Sequence, residues 1–216
     1  MLQLVIGDKA LSSWSLRPWI LLKHLGLEFE EIRLPLDTDR FELEISQYSP
    51  SRRVPVLLDG PLRVWESIAI CEYANELAGG RAWPQERTTR AEARAVSAEM
   101  HAGFEAMRNE WSMRATSRGL QVPLGSAARA DVARIDAIWS DCRKRYRSGG
   151  PWLFGGYSAA DAMFAPVLLR FYSYGAELSP TAQAYLEFAL QDPHLQEWLS
   201  GAEYEVTIEG RPEKHA

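Results

Sequence analysis

The sequence predicts two structural units in series: a small α/β unit of order βαβαββα, then an all-helical unit. Three observations lead there. Short apolar or alternating runs interleave with helical patterns through residues 1–79. The segment 80–87 turns polar after a Gly pair and carries a proline, the composition of a linker. From residue 88 to about residue 200 the pattern is helical throughout.

The elements follow in order. "LQLVIG" reads as a short buried strand. "SLRPWILLKHLG" has apolar residues at helical spacing and stops at Gly26, a suitable position just past a helix end. "LEFEEIRL" alternates apolar and charged residues, as a half-buried strand does. "DRFELEISQYSP" predicts a short helix ending before Pro50. "VPVLLDGPLRVWES" predicts a hairpin turning at Asp59-Gly60-Pro61, and "SIAICEYANELAGG" a helix. In the second unit, "TTRAEARAVSAEMHAGFEAMRNEWSMRA" predicts one long helix of good helix formers. A second long helix begins at "AARADVARIDAIW", and "YSAADAMFAPVLLRFYSYG" predicts a more buried one. Two short helices follow, around Thr181 to Leu190 and His194 to Leu199. The tail from Gly201 holds a strand-like run and then a polar end expected to be poorly ordered.

Bulk properties exclude several classes. The chain has 216 residues, a net charge of -5 and a pI near 5.5, a poor balance for gripping nucleic acid or an anionic membrane. No apolar run approaches the roughly 20 residues that span a bilayer. The start lacks the basic n-region and long apolar core of a secretory signal. Cys71 and Cys142 lie far apart in helical segments and read as free thiols of a reduced cytosolic protein. The four histidines show no metal-ligand spacing, and no metal site is inferred.

Four local motifs carry the chemistry. Val54-Pro55 opens a strand, where proline is tolerated because it has no N–H to pair. Glu66-Ser67 begin a helix, whose free N–H groups and partial positive charge cap with serine or bind a carboxylate. Ser12, Ser13 and Ser15 cluster at the start of the first helix. Ser158 and Asp161 fit S-x-x-D, a capping-box variant, and are read as structural.

Together with the element order, "SSWSLR", "RRVPVLL" and "WESIAI" resemble the glutathione transferase superfamily over essentially the whole chain. The resemblance implies a thioredoxin-like N-terminal domain (1–79), the linker 80–87 and an all-α C-terminal domain (88–216). It implies a cis Val54-Pro55 bond that presents the Val54 backbone to the cysteinyl part of glutathione. Ser67 would hold the γ-glutamyl carboxylate and Glu66 its ammonium. Arg53, with Arg40, would answer the glycine carboxylate, and Arg52 competes by position. A hydroxyl donating to the thiolate, at a helix N-terminus, lowers the thiol pKa from about 8.5. Ser12 matches the first serine of the similar zeta-class motif, S-S-C-x-W-R; Ser13 is a near rival, and Ser15 is assigned to capping. Arg17 either pairs with an acidic residue in the domain interface or shapes the field at the thiolate. Trp14 and Trp19 replace a cysteine and a second arginine of the zeta pattern, which weighs against maleylacetoacetate isomerase activity.

For the second substrate, the first long helix offers Met107, Arg108, Trp111 and Arg114 at 3–4 residue spacing, with Trp14 as a floor. The implied protein is a cytoplasmic, homodimeric, serine-type glutathione transferase of the detoxifying kind. It uses glutathione as co-substrate, without a metal, against a partly apolar electrophile. A glutathione-dependent cis-trans isomerase and a non-catalytic binding protein stay open as alternatives.

Overall fold

The computed structural model describes residues 1–211. The first seven elements are β1 (Leu2–Ile6), α1 (Ser13–Leu25), β2 (Phe29–Arg33), α2 (Asp39–Tyr48), β3 (Val56–Asp59), β4 (Leu62–Trp65) and α3 (Ser67–Leu77). Six longer or shorter α-helices follow: α4 (Arg87–Ala102), α5 (Glu105–Glu110), α6 (Ser126–Tyr146), α7 (Ala159–Tyr174), α8 (Pro180–Ala189) and α9 (Pro193–Thr207). The thioredoxin-like βαβαββα unit and the all-α region therefore match the expected fold class.

The sheet order is β2-β1-β3-β4, with β1 parallel to β2 and antiparallel to β3. Period-2 alternation divides its side chains between two cores. Leu4, Ile6 and Leu57 join the main core, which includes α1, α3 and α7. Val5, Val56 and Leu58 face the other way and pack with Ile45 of α2. The register sets Leu4 opposite Leu57 and Val5 opposite Val56, so each face stays apolar across the strands. Helix α1 ends at Gly26, whose φ of 68° is left-handed, as expected just past a helix end.

Two expectations are corrected. The predicted single helix over 88–115 is broken: α4 stops at Ala102, Phe104 takes a left-handed φ of 58°, and only the six-residue α5 follows. Trp111 and Met113 are instead buried in the irregular segment after it. The strand-like run after Gly201 is helical, because α9 continues to Thr207. Its inward face carries Trp198, Ala202 and the buried Glu205, which accepts a hydrogen bond from Lys9 N at 2.7 Å. The polar end of the tail, from residue 212, lies outside the described residues.

Helix α7 is buried along nearly its whole length and is anchored at its start by Asp161. The Asp161 carboxylate accepts from Ser158 N (2.9 Å), Ser158 Oγ (3.1 Å), Leu153 N (2.9 Å) and Tyr185 Oη (3.0 Å). Burial nevertheless pushes its carboxyl up, to about 6. Asp161→Ala strands those buried donors together and is expected to cost about 2–4 kcal/mol of stability. A denaturant titration that finds wild-type stability in this variant contradicts the anchoring role.

Candidate functional site

The site is built where α1 begins. The β1–α1 loop is clamped by the buried Asp8: its carbonyl accepts from Leu11 N (3.2 Å) and Ser12 N (2.7 Å). Its carboxylate takes Leu36 N (2.7 Å) and the Arg211 guanidinium. Ser12 is the N-cap residue, but its hydroxyl makes no capping bond. It lies 2.7 Å from Ser15 Oγ, which in turn accepts from Gly7 N at 3.2 Å. Ser15, expected as the cap, is thus an interior helix residue linking Ser12 to the β1 end.

Two adjoining cavities open here. The smaller, about 140 Å³, is bounded by Trp14, Arg53, Val54, Pro55, Glu66, Ser67 and His101. Val54-Pro55 is cis. Val54 lies just before the β3–β4 ladder, whose last pair is Val56 with Trp65. Ser67 is the first residue of α3 and is 1% exposed; its Oγ has no hydrogen-bond partner among the described residues. Glu66, at a left-handed φ of 69°, projects an exposed carboxylate toward His101 Nε2, 3.7 Å away. A helix N-terminus, a spare hydroxyl and a carboxylate side by side suit a group bearing both a carboxylate and an ammonium.

The larger cavity, about 410 Å³, shares Trp14, Arg53 and Val54 and adds both Ser12 and Ser13. Its far wall holds Arg108, Asn109, Met113 and Arg170. A still larger hollow of about 780 Å³ between α6 and α8 has no lining residue in common with these two. Its size alone gives it no chemistry, whereas the two smaller cavities share convergent polar groups.

Several predicted residues lie elsewhere. Arg40 points to solvent and pairs with Glu44 at 2.9 Å, one helical turn on, so the structure does not bring it to the site. Met107 is fully buried, and Trp111 stacks on Tyr174 while donating to Val122 O at 2.9 Å; both belong to the core. The helix break at Gly103-Phe104 rotates them away, and neither they nor Arg114 line either cavity. Arg108 does line the larger one, and Arg52 reaches it while paired with Glu42.

Two contributors, His101 and Arg170, were not anticipated. His101 meets the Trp14 ring edge-on at 5.3 Å; burial, then Arg17 and Arg108, pull its pKa below the ordinary histidine value. Arg170 lies in α7, whose apolar pattern hid it. Arg17 is completely buried beneath Trp14, its guanidinium carbon 4.0 Å from the ring centroid. No acidic residue pairs with it: all three of its side-chain nitrogens have no partner among the described residues. An arginine inside an apolar helix segment was the available signal, but its surroundings were not in the sequence. Among the described residues no group of three or more metal-ligating side chains is gathered; His215 lies outside them.

The family now follows. Residues 11–77 match the model for the glutathione S-transferase N-terminal domain, and 91–200 that for the glutathione S-transferase C-terminal domain. The chain belongs to the glutathione S-transferase family. A solved structure of a glutathione transferase homolog from Burkholderia gl BGR1, with bound glutathione, superposes with a TM-score of 0.71 at 26% identity, over 94% of this chain and 98% of that one. Maleylacetoacetate isomerase of Rattus norvegicus is 25% identical over 173 residues, 78% of this chain and 77% of that protein. Dichloromethane dehalogenase of Methylorubrum extorquens is 41% identical over 54 residues, 24% of this chain and only 19% of that protein.

Neither cysteine offers an alternative nucleophile. Cys71 and Cys142 are free and buried, and burial pushes each thiol up to about 12. The native protein is therefore expected to resist an aromatic disulfide reagent at neutral pH and to release both thiols only on unfolding. A fast-reacting thiol in the native state contradicts this placement.

Proposed function

We propose that the chain is a serine-type glutathione transferase, with Ser12 activating the thiol. The observation that carries this reading is the hydroxyl chain from Gly7 N through Ser15 Oγ to Ser12 Oγ. In this reading Ser15, which accepts from Gly7, donates its own proton to Ser12. That leaves the Ser12 proton for an acceptor in the cavity, and a polarised chain donates more strongly than a lone hydroxyl. Lowering a thiol pKa by about two units takes roughly 2.7 kcal/mol. One charge-assisted hydrogen bond and the positive end of α1 are of that order, and the Arg17 charge acts in the same direction.

In this reading the smaller cavity binds glutathione. The Val54 backbone pairs with its cysteinyl unit, Ser67 holds the γ-glutamyl carboxylate, Glu66 the ammonium, and Arg53 the glycine carboxylate. Trp14 and Arg108 border the second substrate in the larger cavity. The bound thiolate attacks the electrophilic carbon: a C–S bond forms, the leaving group departs with its electron pair, and the thiol proton has gone to solvent. The domain division at 80–87, a cytoplasmic location, a detoxifying role and a homodimer belong to the same proposal. Among the described residues no helix is long and apolar enough to cross a membrane. A second reading, glutathione-dependent isomerisation, is favoured by one observation, the similarity to the rat isomerase across most of the chain. Turnover of maleylacetoacetate without net glutathione consumption distinguishes it.

Ser12→Ala is expected to raise the pKa of the bound thiol by about one to two units, read from thiolate absorbance. It should lower kcat/KM for a chlorodinitrobenzene acceptor about 10- to 100-fold near neutral pH. If Ser13→Ala produces that shift and Ser12→Ala does not, the assignment reverses. Ser67→Ala is expected to abolish retention on immobilised glutathione; undiminished retention removes Ser67 from the site.

A further inference from the structure

The larger cavity has an unusual charge balance. Its lining carries Arg52, Arg53, Arg108 and Arg170 and no carboxylate. Arg52 has a partner in Glu42. Arg170 is 4% exposed; its Nε and one terminal nitrogen donate to the Trp111 and Pro166 carbonyls at 2.8 and 3.2 Å. Those acceptors are neutral, so its charge is uncompensated. Arg108 likewise donates to a carbonyl, that of Gly103 at 3.1 Å. Behind Trp14, Arg17 adds a third positive charge with no partner among the described residues. Burial, then Arg170 and Arg108, pulls its pKa well below the ordinary arginine value, and Arg170 falls to about 10 for the same reasons of burial and Arg108. Charges of one sign gathered in a poorly solvated place repel and lose hydration, and an anion relieves both.

We infer that the larger cavity selects electrophiles that carry a carboxylate, held by Arg108 and Arg170 in the field of Arg17. The inference rests on the glutathione-conjugating reading and names the substrate class for it. Trp14 sits between the two ends of this arrangement, with Arg17 at 4.0 Å and Arg108 at 5.3 Å from its ring. Its indole gives the carbon framework of the acceptor an apolar face, while the arginines take the charged end. Met113 and Leu36 add apolar wall, so the fitting ligand is amphiphilic. A guanidinium with free N–H groups matches a planar carboxylate better than an ammonium would.

The test compares ligands that differ only in the anion and needs no turnover. S-benzylglutathione and its 3- and 4-carboxybenzyl counterparts are titrated calorimetrically into the full-length protein, with glutathione alone alongside. At least one carboxybenzyl conjugate is expected to bind about tenfold or more tightly than the benzyl conjugate. That ratio should shrink with added salt. Arg108→Gln and Arg170→Lys should each bring it to about twofold or less. The ratio is the readout, so a general weakening in either variant does not mimic the effect. Equal affinity for all three conjugates, with glutathione still bound, overturns the inference alone and leaves the arginines to serve the thiolate. A ratio unchanged in both variants also overturns it. Failure of glutathione and every conjugate to bind overturns this inference together with the glutathione-conjugating reading.

Discussion

Burial of helix α1 is the constraint from which the rest of the arrangement follows. From Ser15 to Leu22 every residue of α1 is buried, packed between the sheet side with α3 and the long apolar α7. A helix enclosed on both sides cannot rotate without exposing apolar surface, at roughly 25 cal/mol per Å². Its first turn is therefore held in one orientation. That orientation turns Ser12 and Ser13 to the cavity, Ser15 to Gly7, and Arg17 inward under Trp14. The N-terminus of α1 and the Glu66–Ser67 start of α3 open into adjoining cavities, because both helices pack on the same face of the sheet.

Packing of this kind creates an electrostatic problem that it does not solve locally. A buried arginine normally has a carboxylate partner. Arg17 instead has an indole face on one side and two further arginines in its field. Cation–π contact offsets part of the cost, on the order of one or two kcal/mol for a desolvated pair. The remainder is available to anything negative that enters: a thiolate near Ser12, or an anionic acceptor near Arg108. Under the proposed reading, stability and binding are coupled through the same guanidinium groups.

Much of this was legible in the sequence, for identifiable reasons. β1, β3 and β4 announce themselves through short apolar runs and the Asp59-Gly60-Pro61 turn. Gly26 marks the end of α1 because only glycine tolerates its left-handed φ cheaply. The cis Val54-Pro55 bond was legible only through the family resemblance, whereas Glu66-Ser67 was legible locally as the start of a helix. The long helix after the linker was misread because good helix formers run through Gly103. Propensity is a weak prior, and a left-handed Phe104 followed by burial of Trp111 against Tyr174 and Phe171 outweighs it. The tail run YEVTI alternates like a strand, yet the buried Glu205 finds partners in Lys9 N and Arg33, and the helix continues.

By itself, then, the sequence determined the βαβαββα order of the first unit, the helical character of the second, and the local motifs. Those features depend on neighbours a few residues away. Only the tertiary structure decided that Ser12 and Ser13 both line one cavity, that Arg40 faces solvent, and that Met107 and Trp111 belong to the core. It alone brought Arg170 of α7 and His101 of α4 to a site begun by α1. These outcomes depend on contacts between residues far apart in the chain, and the charge of a buried group is set by what surrounds it in space.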